Sequence, residues 1–79
     1  MNLPRGVSAR EFVRALEADG FTNIRTVGSH RHFKHSDGRR VTVSAHKDSD
    51  SFPIGTLRSM ILRQAQWTED DLRRLHLIK

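Results

Sequence analysis

The chain has 79 residues and carries 14 lysines and arginines against 9 aspartates and glutamates, a formal net charge of +5. This length predicts one domain, residues 1–79, and the absence of cysteine excludes disulfides and thiolate metal sites. No apolar run approaches the roughly 20 residues of a membrane span, so we expect a soluble cytoplasmic protein with no membrane partner. The excess positive charge favours nucleic acid as a partner, with an acidic protein as the alternative.

The first predicted element is a helix over residues 8–19. Ser8 and Glu11 have the spacing of a capping box, in which each side chain binds a backbone amide at the start of the helix. Phe12 and the leucine four residues later share one helical face, which we expect to be buried. Gly20 is suited to end the helix in a left-handed conformation.

Three strands of an antiparallel meander follow, and they are predicted at residues 21–27, 31–35 and 39–44. In the first strand the alternation of apolar and polar residues fails near Val27, so the pattern leaves open whether Ile24 or Val27 points inward. Gly28-Ser29 is typical of a two-residue hairpin turn, and Asp37-Gly38 indicates a second tight turn.

The rest of the chain predicts two more helices. The first begins at Pro53 or, because of Gly55, nearer Thr56, and four apolar residues recur on one of its faces: Ile54, Leu57, Ile61 and Ala65. Thr68 and the three acids after it favour a short last helix, since a hydroxyl cap and negative charge stabilise a helix N-terminus. This order of elements predicts an α+β domain of two layers, with one face of the sheet left open.

The segment 28–35 holds three of the five histidines of the chain. Alternation along a strand places His30, His32 and Lys34 on one face and Phe33 on the other. Phe33 is the natural core residue, so the face with the histidines should meet solvent. Histidine has an ordinary pKa of about 6.5 and can act as base or acid near neutrality, which suits chemistry on a phosphate held by neighbouring cations.

Several motifs occur in one order along the chain: Gly28-Ser29-His30, the strand with Phe33, Asp37-Gly38-Arg39, Val41-Thr42-Val43, His46 and Gly55-Thr56-Leu57-Arg58. This order resembles the HicA family of small toxins from bacterial and archaeal toxin–antitoxin pairs, over about residues 7–71. The resemblance implies a fold similar to a double-stranded-RNA-binding domain and an mRNA interferase, an endoribonuclease that cuts messenger RNA and stops translation. It also implies His30 as the catalytic residue and a HicB antitoxin that covers the His30 face and binds operator DNA for the pair.

A ribonuclease without metal can use the 2′-hydroxyl of the RNA as the nucleophile. It then needs a base, an acid and cations that stabilise the charged phosphorane. We assign acid–base chemistry to His30, and His32 is a second acid–base group, a phosphate contact or a solvated strand residue without a role. A zinc site at His30, His32 and His46 is disfavoured because nothing completes the ligand set, so we expect no metal or other cofactor. The predicted RNA-binding residues are Ser29, His32, Lys34, Arg39, Arg40, His46 and Lys47.

Two features leave alternatives open. Family members often have proline where this chain has Ser44, so the path after the third strand, and with it the position of His46, is less constrained. The acidic loop 48–51 either weakens RNA binding or contacts the antitoxin.

The competing function is a non-catalytic module that binds duplex RNA through the same basic face.

Overall fold

The computed structural model describes residues 2–79, which form three α-helices, a π-helical segment and a three-stranded antiparallel sheet. The order of strands in the sheet is the order in the chain. This confirms the predicted α+β class and order of elements, with β2 starting one residue earlier and β3 one residue later than predicted. The elements are α1 (Ala9–Ala18), β1 (Phe21–Val27), β2 (His30–His35), β3 (Arg40–Ser44), α2 (Ile54–Ser59), the π-helical segment (Met60–Gln64) and α3 (Glu69–Arg74).

Helix α1 begins with the predicted capping box. The Ser8 hydroxyl accepts the Glu11 amide at 3.1 Å, and the Glu11 carboxylate accepts the Ser8 amide at 3.2 Å. The Arg10 amide donates to the Asp48 carbonyl oxygen at 3.0 Å, and the Ala9 amide donates to the Asp50 carbonyl oxygen at 2.8 Å. The loop after β3 therefore supplies acceptors for amides that a helix start leaves without partners.

The end of α1 depends on Gly20, whose φ is +101°. A Cβ at this position would lie 2.9 Å from Nε2 of His35, the nitrogen that donates a 2.7 Å hydrogen bond to the carbonyl oxygen of Asp19. The His35 ring also meets the Phe21 ring edge-on, with centroids 5.1 Å apart. His35 thus ties the end of β2 to the end of α1, and Gly20 leaves room for the contact.

The buried apolar side chains form one cluster between the helices and one face of the sheet. Phe33 is 2% exposed and belongs to this cluster, as its position opposite His30 predicts. Ile54 shares the predicted apolar face of the second helix but, as the first residue of α2, is 59% exposed. The largest fully buried side chains are Phe12, Phe33, Leu16, Leu57, Met60, Ile61, Leu72, Val41 and Val43.

The second predicted helix is not a single α-helix. After Ser59 the backbone widens into the π-helical segment, in which the Ala65 amide donates to the Met60 carbonyl oxygen at 2.8 Å. The side-chain oxygen of Gln64, in this segment, accepts the Thr42 amide of β3 at 2.9 Å. The segment therefore covers part of the free edge of β3, which a π-helical turn can reach because it adds one residue to the helix.

Strand β1 contains a β-bulge at Ile24. Its neighbours Asn23 and Arg25 pair with consecutive residues of β2, so Ile24 has no partner in the sheet. The Asn23 side-chain oxygen accepts the Arg25 amide at 3.1 Å, which holds the bulge. Ile24 and Val27 are 54% and 50% exposed, so the expectation that one of them points inward is wrong.

Candidate nucleic-acid interface

The sheet face opposite the core is uncovered and carries side chains from all three strands. We call it the open face and define it by three rows of paired residues, one residue from each strand: Val27, His30 and Ser44; Arg25, His32 and Thr42; Thr22, Lys34 and Arg40. All are exposed except His32 and Thr42, which are half-buried. Four of the predicted site residues thus lie together here: His30, His32, Lys34 and Arg40.

His30 is exposed at the end of the hairpin between β1 and β2. Gly28 has a φ of +58° while Ser29 has a negative φ, so glycine occupies the position of the turn that needs the left-handed region. The turn makes His30 the first residue of β2, paired with Val27 on one side and Ser44 on the other. Its imidazole is therefore accessible to a polymer lying across the open face.

His32 is held more firmly than His30. Its Nδ1 lies 3.2 Å from the Thr42 hydroxyl oxygen, across the pair of β2 and β3. The contact orients the ring through Nδ1 and leaves Nε2 for a ligand. Two imidazoles two residues apart on one strand face lie roughly 6.6 Å apart along the strand, close enough for one phosphodiester to approach both.

The other predicted residues near the hairpin do not lie on the open face. Ser29, His46 and Lys47 line a shallow cavity of ≈ 390 Å³ at the hairpin tip, together with Arg31. The guanidinium of Arg31 lies 3.5 Å from the Asp48 carboxylate, which belongs to the acidic loop. The predicted RNA-binding residues near the hairpin therefore fall into two groups, one on the open face and one around the hairpin tip. At the tip, Asp48 already neutralises the charge of Arg31.

Arg39 lies apart from both groups and its guanidinium is engaged within the fold. It donates to the Asp37 carboxylate at 2.7 Å and to the Ala65 carbonyl oxygen at 2.6 Å. Its centre lies 4.9 Å from the centroid of the Phe21 ring. The sequence predicts Arg39 as an RNA contact, but these partners give it a structural role, and we leave it out of the proposed RNA surface.

Asp19, which sequence patterns did not single out, joins Arg39 to two other elements. Its side chain is 7% exposed, lies 3.2 Å from Arg39 and accepts hydrogen bonds from Trp67 and Arg74. Burial alone would raise the pKa of Asp19, but the hydrogen bonds from Arg74 and Trp67 and the charges of Arg74 and Arg39 hold this pKa below its ordinary value. The partners are far apart in sequence, so no local spacing reveals the cluster.

Sequence reasoning also missed Arg25 and Val27 as members of the open face. The bulge at Ile24 changes which residues of β1 face outward, and its signal in the sequence is the loss of alternation near Val27. Thr42 lies on the face opposite Val41 and Val43, as strand alternation predicts, but its contact with His32 is visible only in the structure.

Within residues 2–79, no three His, Cys, Asp or Glu side chains are placed to hold one metal ion. The zinc alternative at His30, His32 and His46 therefore has no converging ligand set in that range. None of the helices in the same range is long and apolar enough to cross a membrane.

Comparison with known proteins gives one family. The family model described as "HicA toxin of bacterial toxin-antitoxin" matches residues 9–67, from the first residue of α1 to Trp67. No protein of curated function matches the chain. The matched region includes the whole sheet, both histidines of the open face and α2, and it covers well over half of the 79 residues. The chain therefore belongs to the HicA family of toxins from bacterial toxin–antitoxin systems.

Proposed function

We propose that this toxin is an mRNA interferase, an endoribonuclease that cuts messenger RNA without a metal ion and thereby inhibits translation. The observation that carries the proposal is the exposed His30 imidazole on an open sheet face that also bears Lys34 and Arg40. A backbone of phosphates is attracted to such a face whatever the base sequence. The order helix, three strands, helix supports the related proposal of a fold similar to a double-stranded-RNA-binding domain.

In the proposed reaction, His30 takes the proton from a ribose 2′-hydroxyl. The 2′-oxygen attacks the adjacent phosphorus, the bond from phosphorus to the 5′-oxygen breaks, and a cyclic 2′,3′-phosphate remains. A proton is returned to the departing 5′-oxygen. Lys34 and Arg40 lie two rows along the open face from His30, where they would hold neighbouring phosphates of the RNA backbone.

We further propose that a HicB-type antitoxin neutralises the toxin by covering the His30 face, and that it links the pair to operator DNA. The excess positive charge of the toxin favours an acidic covering surface. His46 and Lys47, at the hairpin tip, and Ser29 in the turn extend the same basic region and remain proposed contacts for RNA or antitoxin.

The test uses purified protein, labelled RNA and excess EDTA. Wild type should cut the RNA, and His30→Ala should leave it intact while keeping the same thermal unfolding midpoint. His76→Asn is the matched control, because His76 is an exposed histidine away from the sheet and asparagine tolerates its φ of +61°.

Cleavage by folded His30→Ala at the wild-type rate would overturn the assignment of His30. Loss of wild-type cleavage in EDTA, restored by a divalent cation, would overturn metal independence. An intact RNA band that shifts on binding duplex RNA would instead support the competing function of a non-catalytic RNA-binding module.

A further inference from the structure

The bulge in β1 decides which side chains stand beside the two histidines. Before the bulge Thr22 faces outward, opposite Lys34. A regular strand would continue with Ile24 and Thr26 on that face, because alternate residues share a face. The extra residue shifts this pattern, so Arg25 faces outward opposite His32, and Val27 opposite His30.

The backbone of Arg25 is held in place by Asn23. The Asn23 side-chain oxygen accepts the Arg25 amide at 3.1 Å, and its side-chain nitrogen lies 3.4 Å from the Thr26 hydroxyl. Bulges next to functional sites commonly redirect a side chain in this way. The position of Arg25 in the sheet is therefore fixed by a local side-chain contact as well as by strand pairing.

The guanidinium of Arg25, in contrast, is available. Arg25 is exposed, and within residues 2–79 its side chain forms no ion pair with a carboxylate. Arg31 and Arg39 both form such pairs, with Asp48 and Asp37. In this respect Arg25 differs from Arg31 and Arg39, whose guanidinium groups are paired with carboxylates.

We propose that Arg25 is a phosphate-binding residue of the RNA site, which places a cation beside His32 from the outer strand β1. The inference rests on the proposed function, in which RNA lies across the open face. Paired residues of neighbouring antiparallel strands have Cα atoms about 4.5–5.5 Å apart, so the long side chain of Arg25 reaches a phosphate at either histidine. A guanidinium binds phosphate oxygens in pairs, which positions the chain as well as neutralising it.

Arg40 provides a cation on the other outer strand, in the row of Lys34 and not in the row of His32, whose partner on β3 is Thr42. It lies on β3 and is exposed, whereas Arg25 lies on β1, so the two arginines stand on opposite sides of the central strand. A single-stranded RNA that crosses the sheet obliquely, from Arg25 over His32 toward Arg40, would meet one cation on each outer strand. This arrangement gives the substrate a path across the strands of the sheet.

Binding is measured with a single-stranded oligonucleotide in which every ribose is 2′-O-methylated, so that it cannot be cut. Arg25→Gln should weaken binding roughly 10-fold, the effect of one charged hydrogen-bonding group. It should also reduce the slope of log K against log salt by about 0.7, the value for one phosphate contact to a single strand. Arg25→Lys should keep the slope while losing part of the affinity.

The matched control is Arg14→Gln, which removes the same charge from the exposed side of α1. It should leave the affinity within about twofold of wild type and the slope of log K against log salt unchanged if the contact at Arg25 is local. Equal losses of affinity and slope for Arg14→Gln and Arg25→Gln would overturn the inference, because net charge alone would then explain the binding. An unchanged slope for Arg25→Gln would overturn it as well.

A second assay separates this inference from the proposed function. With cleavable RNA, Arg25→Gln should raise KM more than it lowers kcat, while His30→Ala removes cleavage. If wild type binds the methylated RNA through Arg25 but cuts no RNA, the phosphate site stands and the catalytic proposal fails. If wild type cuts RNA and Arg25→Gln has wild-type KM, the phosphate site fails and the catalytic proposal stands.

Discussion

The indole nitrogen of Trp67 donates a 2.8 Å hydrogen bond to the carboxylate of Asp19. This bond joins the end of α1 to the segment before α3, across 48 residues of chain. Arg39 and Arg74 approach the same carboxylate, from the start of β3 and from α3. One acidic side chain therefore holds together three parts of the fold, on the side of the molecule away from the open face.

We expect Asp19→Ala to lower the free energy of unfolding by about 2–4 kcal/mol, because it leaves the buried Trp67 N–H without its acceptor and removes one of the carboxylates paired with Arg39 and Arg74. Urea denaturation of purified protein measures this loss. Asp70→Ala is the control: the Asp70 side chain is 96% exposed and, among residues 2–79, pairs only with Arg73, at 3.2 Å. Exposed pairs of this kind contribute about 0–1 kcal/mol, so similar losses for the two variants would contradict the role of Asp19.

Low pH should destabilise the protein by protonating the Asp19 carboxylate. The pKa of Asp19 is lower in the folded protein than its ordinary value, so the folded state favours the charged form. The stabilisation is complete above the unfolded-state pKa of about 3.9 and is lost as pH falls through the folded-state pKa.

Protonation of Asp71 should also lower the free energy of unfolding. Hydrogen bonding from the Thr68 amide lowers the pKa of Asp71 more than burial raises it. The free energy of unfolding, measured from pH 7 down to pH 2, should therefore fall most steeply below about pH 4. In Asp19→Asn this dependence should be weaker. A profile identical to that of wild type would show that Asp19 has the same pKa in both states.

Two glycines should respond in opposite directions to the same substitution. Gly20→Ala should destabilise the protein by about 2–3 kcal/mol, since it forces a positive φ on alanine and displaces the His35 ring from Asp19. Gly55→Ala should instead stabilise it by about 0.5–1 kcal/mol, because Gly55 lies in α2 and a Cβ there meets nothing within 4 Å. Thermal unfolding of both variants checks the pair, and a loss of stability in Gly55→Ala would show that α2 packs differently.

The hydroxyl of Thr42 should matter for activity rather than stability. Thr42→Val removes the group that lies 3.2 Å from His32 and keeps the shape of the side chain. If His32 needs this contact to present Nε2 to a phosphate, RNA cleavage should fall by about 3- to 10-fold, an effect of roughly one neutral hydrogen bond. Initial rates on labelled RNA provide the measurement.

Thr22→Val provides the comparison for Thr42→Val. Thr22 lies on the same open face, opposite Lys34, and is not paired with a histidine. Its substitution should leave the rate within about twofold of wild type. A decrease of the same size in both variants would mean that any hydroxyl on this face contributes equally, and that His32 is not specifically oriented.

Much of the fold follows from local signals. The capping residues Ser8 and Thr68, the turn glycines and the opposed positions of His30 and Phe33 each act over a few neighbouring residues, and the structure agrees with all of them. These features depend on backbone preferences and strand alternation, which are visible in the sequence.

The differences arise where distant residues meet. The partners of Arg39 become known only when Asp19 and Ala65 are brought to it by the fold, so its charge alone suggested an RNA contact. In β1 the extra residue at Ile24 reversed the expected alternation and brought Arg25 to the histidines. The partners of Arg39 leave no local pattern in the sequence, and the bulge leaves only the loss of alternation near Val27.

The hydrogen bond from Thr42 to Gln64 has a consequence for self-association. Unpaired strand edges invite pairing with other copies of the same protein, and both edges of this sheet are obstructed, β3 by Gln64 and β1 by its bulge. Pairing of sheets from two copies, edge to edge, is therefore disfavoured at both edges. Replacing Gln64 by alanine would leave β3 open to such pairing.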